Sequence, residues 1–221
     1  MIAENLIAET LPVLRPGDTG RQALNWMELY RVLHLPVVKE REYLGLISDK
    51  LIYDLNLTEE PIDLHTMHLF TPHVHPRQHL FEVASIMYRL CLTVVPVVDE
   101  EHNYAGAITL DGLSGRIVRL FSLQEPGGVL ILQTTWNNYS ACQISQIVES
   151  NDARILGLFV NRIDQSENLE ITIKLDKVDL SPVIQTFTRY NYLISAVYMD
   201  DSILNDMYED RIEQLLRYMN I

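Results

Sequence analysis

Ser48 and Thr109 each follow a short apolar segment, Tyr43 to Ile47 and Tyr104 to Ile108, and each opens an amphipathic run. A hydroxyl at a helix start caps one free backbone N–H. The N–H groups left over, with the positive end of the helix dipole, suit an anion such as phosphate. Asp49 lies one residue past the first hydroxyl and Asp111 two past the second, so each candidate helix start carries a carboxylate. Lys50, Arg77 and Arg116 could add cations, although scattered Lys and Arg more often stay solvated. A second group is His65, His68, His73, His75 and His79, five of the seven histidines. Imidazoles at such spacings can share a divalent metal if the backbone gathers them. Neither cysteine is near, and Pro72 and Pro76 punctuate the stretch, so a polar connecting segment with no metal is the expectation.

The elements that position the two hydroxyls come in duplicate. Leu35 to Val38 reads LPVV and Val95 to Val98 reads VPVV; Pro16, Met27, Pro36, Val37 and Val38 match Pro76, Met87, Pro96, Val97 and Val98 at an offset of 60. After one inserted residue, Gly45, Ile47 and Ser48 match Gly106, Ile108 and Thr109 at 61. Such self-similarity means one supersecondary unit used twice. In the first copy a helix from about Thr19 presents Ala23, Met27 and Tyr30 inward, LPVV is a buried strand, and Lys39 to Glu42 is a turn. Tyr43 to Ile47 is the next strand, and Ser48 caps a helix facing inward with Leu51, Ile52 and Leu55. The second copy repeats this with Val83, Met87 and Leu90, then VPVV, a turn from Asp99 to Asn103, the strand Tyr104 to Ile108, and a Thr109-capped helix bearing Leu113, Ile117 and Leu120. Gly112 and Gly115 weaken that last helix.

A PVV strand, a polar turn, a Gly before apolar residues and a Ser or Thr at a helix start resemble the cystathionine beta-synthase (CBS) domain, and both copies match over roughly residues 1 to 125. The resemblance implies a pseudo-symmetric disc with two clefts, which in that family often hold AMP, ATP or S-adenosylmethionine. It makes Pro36, Val37, Ser48 and Asp49 the candidate ligand-binding residues of the first repeat, and Pro96, Val97, Thr109 and Asp111 those of the second. The family places an Asp three residues after the hydroxyl, on the ribose. Here that position holds Leu51 and Gly112. A carboxylate moved by one residue swings about 100° around a helix, which leaves the ribose contact open. The second cleft is favoured, because Thr109 and Asp111 come nearest the pattern and Gly112 leaves room.

After Glu125 the repeat ends at Pro126, Gly127 and Gly128. Val129 to Thr134 reads as a strand, Ser140 to Glu149 as a helix, and Arg154 to Ile163 as a strand. Leu169 to Asp176 alternates apolar and polar residues as a half-buried antiparallel strand does. Asp179 is positioned to cap a helix with Val183, Ile184 and Phe187 inward, and Leu193 to Tyr198 is the last strand. The order βαββαβ is ferredoxin-like. It looks like an ACT domain, and CBS, CBS, ACT resembles the acetoin-utilisation CBS proteins. The loop Trp136 to Ser140 lacks the glycine that amino-acid-binding ACT domains commonly use there, so an Asn would take the left-handed turn and the unit reads mainly as an interaction domain. Amino-acid binding stays a minor option. A final amphipathic helix from about 203 to 219 packs on its own domain or makes a dimer contact.

The fold class expected is therefore α/β and α+β: a CBS pair (1–64 and 65–125), a ferredoxin-like, ACT-like domain (126–200) and a C-terminal amphipathic helix (201–221). The 221 residues are 48% hydrophobic with no apolar run of membrane-spanning length, and the start of the chain lacks signal-peptide features, so a soluble, cytoplasmic protein is expected. A net charge of −13 opposes non-specific contact with nucleic acid or anionic membrane. Cys91 and Cys142 are expected to be inert core thiols without a disulfide. No Gly-rich phosphate loop, nucleophile elbow or acid–base carboxylate pair appears, so catalysis is not expected. Two readings remain: a regulatory homodimer that senses an adenosyl metabolite and signals to a protein partner, or a ligand-free scaffold with degenerate clefts.

Overall fold

The computed structural model describes residues 1–163 and 167–199, which form two compact units, one spanning Met1–Ile117 and one beginning at Val118. The expected C-terminal helix from 203 to 219 lies outside the described residues.

The first unit is the duplicated one. Its elements are α1 (Gly20–Tyr30), β1 (His34–Lys39), β2 (Glu42–Ser48) and α2 (Asp49–Asp54), then α3 (Leu80–Arg89), β3 (Val94–Val98), β4 (Tyr104–Thr109) and α4 (Leu110–Leu120), whose last turn crosses into the second unit. Each repeat builds one antiparallel hairpin, β1 with β2 and β3 with β4. The registers correspond: Val37 faces Gly45 and Val97 faces Gly106, and both hairpins shift register at the next residue. The one-residue insertion sits in the second turn, where Asp99 Oδ1 accepts from the backbone N–H groups of Glu101 and Asn103. Capping is as the sequence predicts. Thr19 and Gln22 form a capping box on α1, and Ser48 Oγ accepts from Leu51 N–H at 3.1 Å on α2.

The two repeats are laced together by their lead-in segments, which the sequence did not reveal. The 3-10 turn Ala3–Leu6 packs on the second repeat: Ala3 N–H donates to Gln78 O and Glu4 N–H to Pro76 O, while Ala8 N–H donates to Ala107 O. In the matching place on the first repeat, Ile62 N–H donates to Asp18 O, Asp63 N–H to Pro16 O, and Leu46 N–H to Phe70 O. Ala3, Leu6, Ile62 and Val74 thereby join one core with Leu35, Val37, Val95, Val97, Met27 and Met87. Burying such side chains contributes about 1.5–3 kcal/mol each, which is why short hairpins can hold as a pair.

The second unit contains β5 (Val129–Thr135), α5 (Ala141–Glu149), β6 (Ile155–Arg162), β7 (Asn168–Leu175), α6 (Ser181–Arg189) and β8 (Leu193–Tyr198). Its sheet order is β6-β7-β5-β8 with every pair antiparallel, the ferredoxin-like arrangement. Leu169, Ile171, Ile173 and Leu175 are fully buried beneath α5 and α6 with Val148, Val183 and Phe187. β7 is central, so its polar face is covered further than alternation implies: Lys174 is buried and its Nζ donates to Gly127 O at 2.7 Å.

Several local expectations are corrected. Cys91 and Cys142 are exposed free thiols, because Cys91 ends α3 in a left-handed conformation and Cys142 lies on the outer face of α5. Tyr30, Leu55, Leu90 and Leu120 are exposed at helix ends, where the apolar stripe runs past its core. Trp136–Asn138 forms a right-handed 3-10 turn, not a left-handed Asn turn, with Arg162 stacked over the Trp136 ring at 4.8 Å. Leu180, not Asp179, is the residue flanking α6; Asp179 Oδ1 accepts from Ser181 N–H one step outside it.

Candidate functional site: the second cleft

α4 begins where β4 ends, so Thr109 is the last residue of a strand and the cap of an eleven-residue helix at once. Thr109 Oγ1 accepts from Gly112 N–H at 3.1 Å. A Cβ at Gly112 would come within 3.1 Å of that same oxygen, so the absence of a side chain keeps the capped turn open. Asp111 follows in the first turn, exposed; its backbone carbonyl accepts from Ser114 Oγ at 2.7 Å, and its carboxylate has no hydrogen-bond partner among the described residues.

These residues line a cleft of about 870 Å³, a size suited to a small organic ligand. Its walls come from three places: Thr109, Leu110, Asp111 and Ser114 of the second repeat; Tyr30, Arg31 and Val32 past the end of α1; and Ala8, Thr10 and Leu11 of the lead-in strap. Thr93 forms the remaining wall. The strap is held down at Gly106, whose φ of 151° and lack of a side chain admit Ile7; a Cβ there would stand 2.4 Å from Ile7 Cγ2. Between Ile7 and Leu14 six residues bridge this cleft, whereas only four bridge the equivalent span between Leu69 and Val74.

The first repeat differs in its details. Ser48 caps α2 but does not line the second cleft. Asp49 Oδ1 is engaged by Lys50 N–H at 2.6 Å, and the residue borders a separate groove of about 620 Å³ between α1 and α2. His34, where the second repeat has Val94, reaches across the pseudo-dyad. Thr93 N–H donates to His34 Nδ1 at 3.3 Å and Leu33 N–H donates to Thr93 Oγ1 at 2.9 Å. With Nδ1 accepting, the ring proton sits on Nε2. Burial holds His34 below the ordinary histidine value, with Asp49 partly opposing.

Of the eight expected ligand residues, then, Thr109 and Asp111 are brought together on one cleft. Ser48 and Asp49 are adjacent to each other but turned to local partners, and Pro36, Val37, Pro96 and Val97 are buried in the hairpin strands. Lys50, Arg77 and Arg116 do not line the second cleft; Arg31 does. The histidines spread along the inter-repeat segment. His65 pairs with Glu60 at 2.6 Å, His79 Nδ1 accepts from Phe81 N–H, His73 Nδ1 donates to Thr71 O, and His75 Nδ1 accepts from Arg77 N–H. Among the described residues no group of three or more His, Cys, Asp or Glu side chains is arranged to hold a metal ion.

Residues 63–119 match the family model of the CBS domain. The second repeat is a CBS domain. The first, with the same hairpin register, bulge and helix cap, completes a CBS pair. Solved structures similar to the chain include a CBS domain pair/ACT domain protein from Thermotoga maritima, 21% identical with a TM-score of 0.47, covering 54% of this chain and 98% of that one. A protein with an acetoin-utilization assignment (AcuB) from Vibrio cholerae is 25% identical with a TM-score of 0.48, covering 57% and 98%. CBSX2, solved in complex with AMP, is 19% identical with a TM-score of 0.44, covering 53% and 96%. Among the described residues, no helix of this CBS-pair protein is long and apolar enough to cross a membrane.

Proposed function

We propose that the chain is a regulatory protein whose CBS pair senses an adenosyl-type metabolite, AMP, ATP or S-adenosylmethionine, in the second cleft. The observation that carries this reading is the cleft of about 870 Å³ that joins a capped helix start, an unengaged Asp111 carboxylate and apolar walls from Leu11 and Val32. Backbone N–H groups and Thr109 would take a phosphate or carboxylate, Asp111 the ribose hydroxyls, and the apolar walls the base. The role is binding, not turnover. Signalling follows through oligomer or partner contacts: Leu29, Tyr53, Phe81 and Tyr88 are exposed apolar residues on α1, α2 and α3, and we assign that surface to a homodimer of a cytoplasmic protein.

Thermal unfolding of stripped protein with AMP, ADP, ATP and S-adenosylmethionine tests the reading. A ligand at about 100 times its dissociation constant adds about 2.7 kcal/mol of stability, a rise of several degrees. The rise should vanish in Asp111→Ala and shrink in Thr109→Val. Unchanged melting with every ligand would favour the second reading, a ligand-free scaffold, which draws support from Leu51 and Gly112 standing where the family carries its ribose carboxylate.

A further inference from the structure

We infer that Arg31 makes the second cleft selective for phosphorylated adenosyl ligands over uncharged or cationic ones. The inference rests on the nucleotide-binding reading of that cleft. Arg31 caps the end of α1 at a φ of 54°, and Cys91, 60 residues on, follows the Leu90 cap of α3 with a φ of 51°. Both repeats therefore hold a left-handed residue there, where a non-glycine side chain is uncommon, and the sequence decides what each displays. One displays a guanidinium and the other a thiol.

Arg31, which also borders the groove between α1 and α2, is the single Lys or Arg among the described residues that line the cleft, and its guanidinium makes no salt bridge and no hydrogen bond to them. The molecule carries a net charge of −13, so its overall field repels an anion and a site that accepts one needs a local cation. Arg31 supplies that cation on the same lining as the Thr109-capped start of α4. Asp111 is the only carboxylate on that lining. A ligand with a phosphate and vicinal hydroxyls serves both charges at once, phosphate to guanidinium and hydroxyls to carboxylate. Adenosine leaves the guanidinium without an anion, and S-adenosylmethionine offers it only a singly charged carboxylate while its sulfonium and ammonium groups bring two positive charges into the same cleft.

Isothermal titration of the full chain with AMP, adenosine and S-adenosylmethionine tests this, in wild type, Arg31→Gln and Arg31→Lys. Wild type should prefer AMP over the other two by about tenfold or more, as a charge-assisted phosphate contact is worth. Arg31→Gln should lose that preference while binding adenosine as before, and Arg31→Lys should restore much of it. AMP binding should weaken with added salt, because Arg31 is exposed. Undiminished AMP affinity in Arg31→Gln would overturn the role of Arg31 and leave the cleft reading standing. Loss of adenosine together with AMP would make Arg31 a structural residue and overturn the selectivity. If wild type binds none of the three, the nucleotide reading itself fails, and the inference with it.

Discussion

Gly45 and Gly106 occupy one position in two hairpins, at φ values of 152° and 151° that L side chains rarely adopt. Both also leave space for a lead-in residue, Leu69 in one case and Ile7 in the other. Replacement by Ala should cost about 1–3 kcal/mol at either site from backbone strain alone. The cost should be higher at Gly45, where the new methyl would meet Leu69 Cβ at 2.6 Å, next to the backbone, than at Gly106, where it meets the movable Ile7 Cγ2. Urea unfolding of the two variants checks the order. His34 gives a second residue-scale expectation. Burial keeps its folded value below 6.5, so the unfolded chain binds this proton more readily; the stability it contributes is complete above that value and drains away as pH falls through it. Wild type should lose more stability than His34→Gln between about pH 7.5 and pH 5.5, and equal losses would refute the assignment. Thr109 and Asp111 were legible as candidates because a hydroxyl at a strand-to-helix junction has an obvious capping task. Arg31 was not, since nothing in its neighbours predicts a left-handed helix end; only its alignment with Cys91 hints at it.

At the scale of elements, periodicity and the repeat located each of the eight strands and all six α-helices of the described residues to within a few positions, while the pairing and register of the hairpins were not read from the sequence. What periodicity cannot supply is the partner of a short segment. Ala3 and Leu6 look like scattered apolar residues until Gln78 and Pro76, far along the chain, accept the N–H groups of Ala3 and Glu4. α4 is the element most open to improvement. It holds together with Gly115 in its interior, and a Cβ there would meet nothing within 4 Å. Gly115→Ala should therefore stabilise the protein by about 0.5–1 kcal/mol, seen as a melting temperature higher by roughly 1–4 °C. Gly112→Ala should give no such gain, because its methyl would crowd Thr109 Oγ1 and the cap it makes.

For the whole molecule, the lead-in segments tie the behaviour of one repeat to the presence of the other. Removing residues 1–8 strips Ile7 from Gly106 and Ala8 from Ala107, and takes Ala8 from one wall of the second cleft. The truncated chain should lose amide exchange protection in β3 and β4 before β1 and β2, with the second unit unaffected; hydrogen exchange followed by mass spectrometry reads this directly. The crossing of the lead-ins also sets an order of events during synthesis. Residues 1–8 leave the ribosome well before Pro76, Gln78 and Ala107, the groups that receive them, have been made. Ala8, which lines the second cleft, is therefore made before the groups that hold it in place, and until those appear Leu6 and Ile7 travel as exposed apolar side chains that a chaperone can hold.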